Sequence, residues 1–160
     1  MDVVRVGMAD LRVVESPLIL STLGLGSCVG IILYDPIKKI AGLAHIMLPD
    51  SNNVSNNINK AKFADTAIIE LINEMEKKGA KKERLVSKIA GGAQMFEFKG
   101  KTDLMRIGER NVEAVKKNLK KFNINLIAED TGGNYGRTIE FDSNTGKLYI
   151  KTIGQGTKEI

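Results

Sequence analysis

Between residues 60 and 80 the apolar positions return every three or four residues. In "KAKFADTAIIELINEMEKKGA" they are Ala64, Ala67, Ile68, Leu71, Ile72 and Met75. That period predicts an amphipathic helix, with Gly79 as its stop. A second stripe, Val112, Val115, Leu119 and Phe122, predicts another helix over residues 107–122. Elsewhere the runs are short and rich in β-branched residues: "LRVVE", "LILSTLG", "VGIILYD", "IAGLAHIML", "RLVSKIAGG", "INLIAED", "RTIEF" and "KLYIKTI". Each is bounded by turn formers and reads as a strand. "DSNTG" between the last two reads as a hairpin turn. The order is strands, helix, strand, helix, strand, hairpin. It predicts one α+β domain over residues 1–160, a mixed β-sheet or sandwich with two helices packed against it.

Composition narrows this. A chain of 160 residues, 42% hydrophobic but only 5% aromatic, builds an aliphatic core and needs no staples. No apolar run approaches ~20 residues, so no membrane-spanning helix is expected. The start lacks a signal-peptide layout and the single cysteine has no internal partner, which points to a cytoplasmic protein. The net charge of +5 comes from dispersed lysines; "KKGAKK" and "KKNLKK" lie on or beside the predicted helices. They read as solvated faces or as surfaces for an acidic partner. Without an Arg-rich run or interleaved aromatics, nucleic acid is not expected. "PDSNNVSNNIN", residues 49–59, reads as an exposed loop.

The chain has one cysteine, Cys28 in "GLGSC", and one histidine, His45 in "GLAHIMLP". "YDPIKKI" between their strands is a turn, with Asp35 first and Pro36 second. A hairpin closing on Pro36 and Ile37 would set Cys28 directly opposite His45 on one face. An imidazole there would lower the thiol pKa from its ordinary ~8.5 and accept the proton. The preceding glycines free loop amides, near Gly26 and Ser27, for an oxyanion. A third group must hold the imidazole: Thr22 or Ser21 through a hydroxyl, Asp50 or Asp35 through a carboxylate. The competing reading is a buried small thiol and a structural histidine. One Cys and one His fall short of a zinc site, and the glycines match neither G-x-G-x-x-G nor a P-loop. No metal or cofactor is expected.

"STLGLGSCVGIILYDP" followed by "GLAHIMLPDS" resembles the chemoreceptor glutamine deamidase family, CheD. "KFADTAI", "KIAGGAQMF", "IGERNVEAVKKNL", "AEDTGGNYGR" and "TGKL" continue the likeness in order over nearly the whole chain. The resemblance implies a toxin-type cysteine deamidase fold and hydrolysis of receptor glutamines to glutamate. It implies Cys28 as nucleophile, His45 as base and Thr22 as the orienting residue. It also implies methyl-accepting chemotaxis receptors as substrate and a CheC-type phosphatase as partner. Phe63 departs from the family pattern, where a tyrosine is expected, and leaves in doubt one surface hydrogen bond. Two other readings stay open: a CheC-binding module with vestigial activity, and a receptor methylesterase or other thiol hydrolase. A substrate side chain on a helical bundle needs an open groove. We expect "PDSNNVSNNIN" and "AGGAQMFEFKG" to rim it, with Met95, Phe96 and Phe98 as apolar contacts. The protein is expected to be a monomer.

Overall fold

The computed structural model describes residues 2–52, 54, 58–95 and 106–160. Among the described residues, ten strands and two α-helices form three layers. One sheet contains β1 (Val3–Arg5), β3 (Ile19–Leu25), β8 (Arg137–Asp142), β9 (Lys147–Thr152) and β10 (Gly156–Glu159), in that order. The other runs β2 (Leu11–Glu15), β5 (Ile40–Ile46), β4 (Val29–Asp35), β6 (Val86–Gly91), β7 (Asn125–Thr131). Helices α1 (Ala64–Lys77) and α2 (Ile107–Lys121) cover the outer face of this second sheet. Both sheets are mixed, since β1–β3 and β6–β7 pair in parallel.

The second sheet is the middle layer, so its central strands β4 and β5 are buried along their whole length. That is why "VGIILYD" and "IAGLAHI" lack an alternating polar face. Val29, Ile31, Leu33, Ala44 and Ile46 face the helices. Ile32, Tyr34, Ala41 and Leu43 face the other sheet, against Leu20, Leu25, Ile139, Phe141 and Leu148. Among the described residues no helix is long and apolar enough to cross a membrane.

The six apolar positions that predict α1 are its six buried residues. The chain leaves α1 through Gly79, whose φ of +106° suits glycine. The second helix keeps its predicted stripe and extends it: Val115 and Leu119 are in the core. Its buried residues are Gly108, Asn111, Val115 and Leu119, while Val112 and Phe122 are partly buried and pack against the core. Strands β1 and β10 were not expected; their short, exposed sequences carry no alternation. Phe63 is also corrected: it is 4% exposed, so no surface hydrogen bond is at stake there.

The β4–β5 register differs from the expected one. The connection is a four-residue turn, Pro36 to Lys39, which pairs Asp35 with Ile40 and Gly30 with His45. Cys28 is therefore not directly opposite His45 but two residues beyond its partner. Because side chains alternate with period two, a shift of two keeps both on the same face.

Candidate active site

Cys28 lies in the bend between β3 and β4, and His45 lies on β5. Both face the space between the two sheets. Exposure falls from Cys28 at 8% to His45 at 1% and Thr22 at 0%. The sulfur is at the mouth, the imidazole behind it and the threonine deepest.

Thr22 reaches the imidazole from the opposite sheet: its Oγ1 lies 2.7 Å from His45 Nδ1. A β-bulge follows at once. The β3–β8 register slips between Thr22 and Leu25, so β3 carries one extra residue there. Without it, Thr22 and Leu25, three apart, would face opposite ways; with it both are fully buried. Gly30, across from His45, lets the sheets approach. A Cβ there would lie 2.8 Å from Ile139 Cδ1 and 3.2 Å from Leu25 Cδ1.

The hydrogen-bond directions follow from proton counting. Thr22 Oγ1 donates its one proton to the Val6 carbonyl at 2.7 Å. It can only accept from His45, so Nδ1 carries the imidazole proton. Nε2 is then an unprotonated lone pair, buried and without a hydrogen-bond partner. Burial also pushes the imidazole pKa below its ordinary value. His45 is held as a neutral base with its basic nitrogen free.

The thiol differs from expectation. Burial pushes Cys28 above its ordinary pKa, partly offset by its own amide N–H. The resting pair is a neutral thiol and a neutral imidazole, with no hydrogen bond to Nε2. Proton transfer must accompany attack.

The nucleophile loop is pinned to the segment after β6. Gly92 N–H donates to Cys28 O (2.9 Å) and Ala93 N–H to Gly26 O (2.8 Å). Gly91 makes this approach possible: its φ is +113°, and a Cβ would lie 2.3 Å from Cys28 O. Gly26 N–H bonds to Gly24 O at 3.1 Å, which removes it from the expected oxyanion donors. Met95 is 44% exposed, and its Cγ would lie 3.2 Å from a Cβ at Gly26. Leu23, in the bulge, is 46% exposed. Phe96 and Phe98 lie outside the described residues.

The carboxylate candidates do not serve the imidazole. Asp35 accepts from Arg84 and from the Ile37, Lys38 and Lys81 amides, far along β4. Asp50 accepts from the Asn52 amide. Sequence reasoning missed Asn111, which is fully buried on α2; its Nδ2 donates to Ser27 O (2.9 Å) and Met47 O (3.0 Å). A polar residue three positions after Gly108 and four before Val115, hence on the buried face, was the available signal.

In this three-layer fold a buried imidazole and the cysteine of the β3–β4 bend face the same inter-sheet space. Residues 47–152 match the family model described as CheD chemotactic sensory transduction. The chain belongs to the CheD family. That match begins two residues past His45, but full-length relatives span the site. A protein from Caldanaerobacter subterraneus subsp. tengcongensis, called a probable chemoreceptor glutamine deamidase CheD, is 65% identical over 99% of this chain and 98% of its own. The chemoreceptor glutamine deamidase CheD of Halalkalibacterium halodurans is 58% identical over 99% of each chain. A probable chemoreceptor glutamine deamidase CheD of Lachnoclostridium phytofermentans is 54% identical, again over 99% of each.

Proposed function

We propose that this protein hydrolyses glutamine side chains of chemotaxis receptors to glutamate and ammonia, with Cys28 as nucleophile, His45 as base and Thr22 as the residue that orients it. The observation that carries this reading is the Thr22–His45 bond, whose direction leaves Nε2 as a free base facing the same inter-sheet space as Cys28. A histidine kept only for packing would not need a buried nitrogen without a partner, since such a group is costly.

The Cys28 proton passes to His45 Nε2 as sulfur bonds the carboxamide carbon. The amides of Ser27 and Cys28 are the oxyanion donors in this reading. The C–N bond breaks as Nε2 returns the proton to the departing nitrogen, giving ammonia and a thioester. Water then attacks with Nε2 as base, and the carboxylate leaves as the thiol is restored. No group beyond the chain and water is required.

In this reading a substrate helix lies against the exposed side chains of Met95, which approaches Gly26, and Leu23, which precedes the "GLGSC" loop. A CheC-type phosphatase is proposed for the same groove, so receptor and phosphatase would exclude each other. Ammonia release from a purified receptor fragment, with mass spectrometry of its glutamines, tests the function. Methanol release instead would make the enzyme an esterase, and neither product would leave a binding module. Simultaneous binding of receptor and phosphatase would remove the shared groove.

A further inference from the structure

We propose that Asn111 is a positioning residue for deamidation: one buried amide sets the spacing of nucleophile and base by bonding the backbone beside each. The inference rests on the Cys28–His45 reading above. In the resting structure no hydrogen bond ties the thiol to Nε2. Their approach is therefore fixed by the two backbones that carry them. Asn111 Nδ2 spends both protons there, on Ser27 O, immediately before Cys28, and on Met47 O, two residues after His45. The amide cannot be turned over, because its oxygen would then face two carbonyl oxygens. Its Oδ1 is buried without a partner. An asparagine fully buried in mid-helix with half its polar capacity unused is a poor choice for stability alone. Gly108, one turn earlier, presses α2 onto this region: a Cβ there would lie 2.3 Å from Ala93 O. Ala93 in turn holds Gly26 O. Helix α2 is thus a backboard against which the nucleophile loop and the exit of β5 are set.

Asn111→Leu keeps the volume and removes both donors. Asn111→Asp keeps the shape and offers one proton at most. Deamidation of a receptor fragment should lose roughly 10- to 100-fold in kcat in either variant, with KM changed less than about twofold, because misplacing reacting groups costs turnover rather than binding. Relative to the unsubstituted protein at each pH, Asn111→Asp should recover part of its loss as pH falls and its carboxyl regains a proton; Asn111→Leu should not. The pH profile of Cys28 alkylation by iodoacetamide should move in both variants toward that of His45→Ala. Folding is checked by thermal melting, and if Asn111→Leu does not fold, Asn111→Asp carries the same comparisons. Unchanged kcat in a folded variant, a loss carried by KM, or an alkylation profile still like the unsubstituted protein would overturn the role of Asn111. Should His45→Ala itself leave alkylation unchanged, the Cys28–His45 pair falls, and this inference with it.

Discussion

Replacing Cys28 with alanine removes the only thiol without creating a large cavity, so the variant should melt normally and release no ammonia. Turnover by a folded Cys28→Ala protein would end the thiol mechanism. His45→Ala should cut kcat by roughly 10²–10⁴-fold, the scale of a lost acid–base group. Thr22→Val keeps shape but strands a buried Nδ1–H and should be milder. Burial lowers the His45 pKa, so the base stays neutral as pH falls through the ordinary imidazole range. The acid limb of kcat against pH should have its midpoint below ~6.5, the unperturbed histidine value. A midpoint above that would contradict a desolvated imidazole. Burial raises the thiol, so Cys28 alkylation should titrate above a free thiol's ~8.5.

Among the elements, the turn after β6 is the most constrained part of the site. Gly91→Ala would drive a Cβ into the Cys28 carbonyl while forcing alanine to a φ of +113°. We expect a melting temperature lower by several degrees, from roughly 1–3 kcal/mol of backbone strain, and a loss of activity as the loop shifts. A fall in stability with full activity would show that the loop is not held there. Helix α1 was legible because it is buried on one side only, so its period is its burial. Strands β4 and β5 were legible as strands, but their register was not. Periodicity reports the face of a strand, not the length of its turn, and the four-residue turn after Asp35 moved Gly30, not Cys28, opposite His45. The shared face survived because the error was an even number. Asn111 escaped because the stripe was read for its apolar members alone, although a polar residue four positions before Val115 shares its face. The roles of Cys28, His45 and Thr22 were legible mainly through the resemblance; spacing alone left Thr22, Ser21, Asp35 and Asp50 as equals.

Across the whole molecule, the central strands of the middle sheet are buried along their whole length, and β4 needs a polar anchor where it ends. Asp35 supplies one. Burial opposes its ionisation, yet Arg84 and the amides of Lys81, Lys38 and Ile37 hold its pKa down to about 2. A depressed carboxyl stabilises the fold above its unfolded value of ~3.9, and that contribution is lost as pH falls toward about 2. Acid denaturation of the unsubstituted protein should therefore steepen between roughly pH 4 and the folded value, and Asp35→Asn should lack that component while being less stable at neutral pH. Equal acid sensitivity in the two proteins would remove Asp35 from this role.

The Val6 carbonyl, just past β1, has a consequence at that same scale. It fixes the direction of a hydroxyl proton 16 residues away in sequence at Thr22. With that carbonyl removed, the hydroxyl is free to rotate and offer its proton to His45 instead, and the imidazole would carry its own proton on the nitrogen that should receive one from sulfur. Shortening the chain past Val6 should thus exchange the imidazole tautomer rather than merely loosen the ring. Nitrogen NMR of the His45 side chain would record the protonated position moving from Nδ1 to Nε2, with turnover lost in proportion.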